Sequence, residues 1–196
     1  GYKVEVLASW GQPIMPGAPD WNPDVALQGA AEQEKQFGMH NDGMHFFPFS
    51  TRRGPSSERG ILCCNNEYTD EVQLHADGPQ VAATPSTVSI AKTRKSQAGH
   101  GVSILEVSKT ANGGWGVVRN SAYGRRITAN TPVRISGPAA GHPLLKSKRF
   151  DITPTASIDT GTFNDGYSGF GTINNCAHGY TPWGTYLTCE ENWNGN

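Results

Sequence analysis

The stretch "ILCCNNEY" at residues 61–68 has a counterpart near the other end of the chain, "YLTCEENW" at residues 186–193. Both read Leu-x-Cys, then three residues drawn from Asn and Glu, then an aromatic. A polar turn precedes each: "HNDG" at 40–43 and "NNCAHG" at 174–179. The first copy is longer, and the charged loop "STRRGPSSERG" at 50–60 accounts for most of the difference. A repeated unit of polar turn, strand, turn and strand is the sequence form of a β-propeller blade. In a propeller the inner strands of successive blades point their ends at a central channel. Polar residues at equivalent blade positions then meet there, and the repeat gathers Asp42, Glu67, Cys176, Glu190 and Glu191 around one axis.

The rest of the chain agrees with a mainly β fold. Its 24 glycines are scattered between β-branched and aromatic stretches, as in turn-rich β proteins. Strand signals fall on "HFFPF" (45–49), "RGILCCNNEY" (59–68), "GVSILEVSK" (101–109), "GWGVVRN" (114–120), "RRITANTPVRIS" (125–136) and "WGTYLTC" (183–189). Residues 111–114, Ala-Asn-Gly-Gly, read as a hairpin turn. One short helix is expected over residues 23–37, with Asn22 as N-cap and Pro23 at the first position. Residues 51–60 and 84–100 read as loops, and no domain boundary stands out. The formal charge of −1 comes without a basic block, which argues against nucleic-acid binding. No apolar run approaches the ~18–20 residues of a membrane span.

Carboxylate and amide oxygens are hard ligands suited to calcium, whereas a thiolate suits iron, zinc or copper. The gathered residues offer both kinds. Strand alternation puts Cys189 and Glu191 on one face and Glu190 on the other. The two glutamates can both face a channel only if the strand ends or bulges there. Asn65 and Glu67 likewise share a face, and vicinal Cys63 and Cys64 read as packed thiols. "NDG" occurs at 41–43 and 164–166, and only the first copy belongs to the repeat. His40, His45 and His178 neighbour the candidate loops without a metal-binding spacing and read as structural. No GxSxG elbow or Walker loop is present.

Taken together, "FGMHNDGMHFFPF" (37–49), "ILCCNNEYT" (61–69), "YGRRIT" (123–128), "ISGPAAGH" (135–142) and "GTINNCAHGYTPWGTYLTCEEN" (171–192) resemble the PhoX-type alkaline phosphatases. The resemblance runs from "WGQPI" at 10–14 to the last residue. It implies a six-bladed β-propeller and hydrolysis of phosphate monoesters at alkaline pH. It also implies iron and calcium as cofactors, with the iron held partly by a thiolate. By the same resemblance Cys176 is the iron thiolate, Glu67 and Glu191 are metal-binding carboxylates, and Glu190, Asp42 and Asn41 are further candidates. Export by the twin-arginine route to the periplasm or beyond is implied too, although neither Arg52-Arg53 nor Arg125-Arg126 precedes an apolar segment. The expected organisation is a partial propeller: residues 1–196 form the first blades of one domain, with long loops and a short helix. The remaining blades, ligands and a substrate-binding arginine would lie in the rest of its own propeller chain. The piece alone would then be inactive and would leave sheet edges open. Two rivals remain, a calcium-dependent propeller lactonase or phosphotriesterase and a non-catalytic, metal-stabilised propeller binding module.

Overall fold

The computed structural model describes residues 1–79, 89–146 and 166–192. Its largest sheet is antiparallel and runs in the order β1 (Asn41–Thr51), β2 (Gly54–Asn66), β3 (Gly101–Lys109), β4 (Trp115–Val117). A fifth strand, β5 (Arg125–Ile127), pairs with β3 beyond the segment that β4 covers. This meander is the arrangement of a propeller blade. Two further antiparallel pairs follow: β6 (Pro132–Arg134) with β7 (Ser168–Phe170), and the hairpin of β8 (Asn175–Tyr180) with β9 (Tyr186–Glu190). The β8–β9 hairpin packs on β1 and β2. The mainly β class and the blade-like unit expected from the repeat are both present.

β3 is the spine of the sheet because its run "GVSILEV" is buried on both faces. On one face Leu105 and Val107 pack with Ile14, Phe37 and Cys64. On the other, Val102 and Ile104 pack with Cys63, and Tyr186 of β9 leans onto that cluster. Each such side chain contributes about 1.5–3 kcal/mol when fully buried. The core therefore fixes the sheet and also one side of the second hairpin. The β3–β4 turn falls where the sequence put it. Thr110 accepts from the Gly113 amide at 2.9 Å, and Gly113 takes the positive φ of 82° that the turn needs.

Helices differ from the expectation. The segment 23–37 does not form one helix but a 3-10 turn, Val25–Leu27, and a short α1 (Ala30–Gln33). Gly29 interrupts it: its amide donates to the Glu32 carboxylate at 2.8 Å, starting a second helix there. Asp24, not Asn22, caps the first turn, accepting from the Ala26 amide at 3.0 Å. A four-residue α2 (Glu71–Leu74) starts on Asp70. The stretch expected to be a loop over 84–100 instead contains the longest helix of the described residues, α3 (Ile90–Gly99), capped by Ser89. Residues 84–88 lie outside the described residues, as do Asn164 and Asp165 of the second "NDG". "RRITANTPVRIS" divides into β5 and β6 at a turn closed by Thr128 and Thr131.

Candidate metal centre

The two hairpins of the sequence repeat share one backbone device at their open ends. In the first, Asn41 pairs with Asn66 and Met44 with Cys64. Asp42 and Gly43 thus oppose the single residue Asn65, which is a β-bulge. In the second, Asn175 pairs with Glu190 and His178 with Thr188, so Cys176 and Ala177 oppose the single residue Cys189. Bulges bend a strand and re-aim its side chains. The residue before each Asn has left-handed φ, 45° at His40 and 49° at Asn174. Each of these residues accepts from a glutamate amide just past the partner strand: Glu67 to His40 at 2.9 Å, and Glu191 to Asn174 at 3.0 Å. By this geometry Asp42 is equivalent to Cys176, and Glu67 to Glu191. The sequence repeat, aligned on Leu-x-Cys, is one residue out at its second strand, because it set Glu67 against Asn192. Side-chain identity guided that alignment, whereas backbone pairing and the bulge decide the true register.

The device brings the expected residues together. One ligand atom each of Asp42, Glu67 and Cys176 lies within 4.8 Å of the others. The Cys176 thiol donates to Glu67 Oε1 at 3.1 Å. Asp42 and Glu191 also act electrostatically on the same sulfur. The hydrogen bond to Glu67 does most to push the thiol pKa up, followed by Asp42, burial and Glu191. None of the three carboxylates has an ion-pair partner among the described residues. Negative charge without a counter-cation around a half-buried sulfur is a donor set that a metal ion fits. Glu190 stands apart from this cluster. Its Oε1 accepts from Thr172 Oγ1 at 2.6 Å and from the Ile173 amide at 3.1 Å. β9 ends at Glu190, so Glu191 lies just past the strand. Both glutamates line an open cavity of about 390 Å³ with Phe170 and Ile173. Asn41, a further ligand candidate, instead accepts from Asn66 Nδ2 at 2.9 Å.

The sequence model of alkaline phosphatase PhoX matches residues 1–196. The chain belongs to the PhoX family. Among solved structures it is similar to Pseudomonas fluorescens PhoX in complex with vanadate, a transition state analogue. The two are 43% identical with a TM-score of 0.74, and the match covers 96% of this chain and 28% of that one. No curated protein matches.

Beneath the ligand cluster the chain carries a layer of buried polar residues that sequence reasoning missed. Asn66 and Asn175 are fully buried. The Asn66 amide oxygen accepts from Ser103, and Asn175 bonds Thr172 and Thr188. His100 donates from Nδ1 to the Glu67 carbonyl at 2.8 Å, and burial lowers its pKa, which keeps the ring neutral. Arg126 of "YGRRIT" is buried and makes no ion pair among the described residues. It donates to the carbonyls of Gln36 (2.7 Å), Ala98 (3.0 Å) and His100 (2.6 Å), and burial draws its pKa down to about 10. It closes the C-terminus of α3, where carbonyls favour a cation. The signal that could have found these residues is asparagine next to an apolar strand, since a buried amide needs partners on several sides. Cys63 and Cys64 are packed free thiols, as expected, with pKa values raised by burial to about 11 and about 12. Cys189 is free and exposed.

Proposed function

We propose that this chain supplies part of the metal centre of an enzyme that hydrolyses phosphate monoesters at alkaline pH. The observation that carries the reading is the thiol of Cys176 beside the Asp42, Glu67 and Glu191 carboxylates, none of which has an ion-pair partner among the described residues. Family membership and the likeness to a PhoX bound to a transition state analogue support the chemistry. Cys176 with the three carboxylates would hold iron and calcium, and Glu190, tied to Thr172, would stand at the rim. Bound there, the ions supply Lewis acidity that neutralises phosphate charge and activates an oxygen nucleophile. That contribution is large, because uncatalysed monoester hydrolysis is among the slowest reactions known. The chain's own part is to hold four donors at fixed positions before substrate arrives. A thiol at the centre of the cluster favours this reading over a calcium hydrolase with oxygen ligands alone.

The chain spans 28% of the PhoX structure it matches. In our reading residues 1–196 are the first part of a single six-bladed propeller domain, and their nearest partner is the rest of that propeller. Among the described residues no helix is long and apolar enough to cross a membrane. Export to the periplasm or outside the cell is proposed on family grounds.

The test uses the full-length enzyme and p-nitrophenyl phosphate at alkaline pH. Activity should vanish with a calcium chelator and return with calcium. Cys176→Ala should lose both iron and activity. A Cys176→Ala enzyme with full iron and full rate would overturn the assignment.

A further inference from the structure

Asn65 is completely buried and uses every hydrogen-bonding position of its side chain. Its Nδ2 donates to the Cys176 carbonyl at 2.9 Å and to the Ala177 carbonyl at 3.2 Å. Its Oδ1 lies 2.9 Å from the Tyr186 hydroxyl and 2.8 Å from Thr188 Oγ1. All four partners belong to the second hairpin, while Asn65 belongs to the first. It sits opposite the bulge of Asp42 and Gly43 and two residues before Glu67. One amide therefore joins the strand end that carries Glu67 to the bulge that carries Cys176. A return strap runs the other way. The Tyr186 hydroxyl, in the second hairpin, also lies 2.9 Å from the Gly43 carbonyl in the first bulge, so its one proton is shared between that carbonyl and Asn65 Oδ1. Each hairpin thus grips the bulge of the other. At the position equivalent to Asn65 the second hairpin has Cys189, which is exposed. The amide clamp is not a general demand of the bulge, since the second bulge forms without one.

We infer that Asn65 is the positioning residue of the metal centre: it sets the distance between the Cys176 thiol and the Glu67 and Asp42 carboxylates. The inference rests on the metal reading above. Aspartate has the same shape but no N–H donors, and it would set a carboxylate oxygen against two carbonyls. Outer-shell partners of metal ligands typically govern about 10–100-fold of metal affinity.

The experiment uses the full-length enzyme in a Cys189→Ser background, which removes the exposed thiol. Asn65→Asp and Tyr186→Phe are compared with their parent in three ways: iron affinity, the rate at which iodoacetamide alkylates Cys176 in metal-free protein, and kcat and KM for p-nitrophenyl phosphate. For Asn65→Asp we expect a fall of about 10–100-fold in iron affinity, a changed alkylation rate and a lower kcat at unchanged KM. Tyr186→Phe should move each reading the same way by less. An Asn65→Asp protein that melts earlier but keeps the parental iron affinity and alkylation rate would reduce Asn65 to a packing residue and overturn the inference. Should Asn65→Asp not fold, Tyr186→Phe decides, and parental iron affinity and alkylation in that variant overturn it equally. A parent enzyme that takes up no iron would sink the metal reading instead, and the alkylation comparison would still decide whether Asn65 sets the position of the thiol.

Discussion

Gly43 offers the sharpest test of how the two hairpins meet. It lies in the first bulge, next to Asp42, where the second hairpin comes closest. A Cβ added there would sit 2.8 Å from the Cys176 carbonyl oxygen, 2.8 Å from His178 Nδ1 and 2.9 Å from His178 Cβ. Ordinary contacts begin at 3.4 Å, so the neighbour must retreat by about 0.6 Å. The imidazole can turn away, but the carbonyl cannot, because Asn65 holds it at 2.9 Å. Gly43→Ala must therefore push back the backbone that carries the thiol. Overpacking of this kind costs about 1–3 kcal/mol. The thiol sits 3.1 Å from Glu67, so a shift of this size spoils the ligand geometry. A misplacement on the order of 1 Å can cost about 100-fold in rate. We expect Gly43→Ala in the full-length enzyme to lose 1–2 orders of magnitude in kcat, roughly in line with that figure, with KM unchanged. Gly179→Ala is the control. It lies in the second hairpin, on the strand that carries Cys176, its added Cβ would meet only Leu187 atoms from 3.8 Å, and its effect should stay within about 0.5 kcal/mol. The assays are initial rates on p-nitrophenyl phosphate and thermal unfolding. If Gly43→Ala and Gly179→Ala behave alike, the close approach does not exist and the convergence of the hairpins is wrong.

Leu105→Ala removes a fully buried side chain from the middle of β3 and should cost about 2–5 kcal/mol in denaturant unfolding. Arg126→Met orphans the carbonyls of Gln36 and His100, at about 1–3 kcal/mol each before any gain from not burying a charge. Hydrogen exchange should show faster opening at the end of α3, and unchanged protection there would count against the capping role. Glu106 is 2% exposed, paired with Arg59 and accepting from Ser121 at 2.6 Å. The Arg59 hydrogen bond, above all, holds its pKa below the usual 4.5. A carboxylate depressed in the folded state contributes fully above its unfolded pKa and loses that contribution as pH falls through the folded value. Glu106→Gln should be less stable at neutral pH and should lose less between about pH 5 and pH 3, and parallel stability curves would refute this.

What the sequence made legible was burial. β2, β3 and β9 stand out as β-branched or apolar runs, and the 110–114 turn follows from its glycines. α3 did not stand out, because "IAKTRKSQAG" is polar all round and carries no apolar stripe. Ser89 at one end and the Arg126 guanidinium at the other hold it instead, and both act through local hydrogen bonds that periodicity does not register. β8 was read as a polar turn for a related reason. The bulge at Cys176 interrupts its alternation, so "NNCAHGY" lacks the period of a strand while still pairing as one. Of the five ligand candidates, Asp42, Glu67 and Cys176 meet, Glu191 acts on the same thiol from beside them, and Glu190 is tied to Thr172 instead. Strand alternation separated the two adjacent glutamates in advance, but it does not say which one acts on the thiol.

The two open ends share a backbone and differ in side chains, and that difference explains the character of the site. Left-handed φ two residues before the bulge is a conformation that His and Asn tolerate and β-branched residues do not, so His40 and Asn174 keep the device available in both hairpins. The two bulges then aim equivalent positions at one point, and equivalent glutamates close the ladder behind them. With identical residues the result would be a set of hard oxygen donors alone. Placing Asp42 in one bulge and Cys176 in the other puts a soft donor among hard ones at no cost in backbone geometry. The position opposite the bulge breaks the symmetry again, because Asn65 is buried and fully bonded where Cys189 is exposed. The thiol therefore belongs to one hairpin while its grip comes from the other, so the donor set exists only when the two units dock. Assembly of the donor cluster and docking of the two hairpins are, at this point in the molecule, the same event.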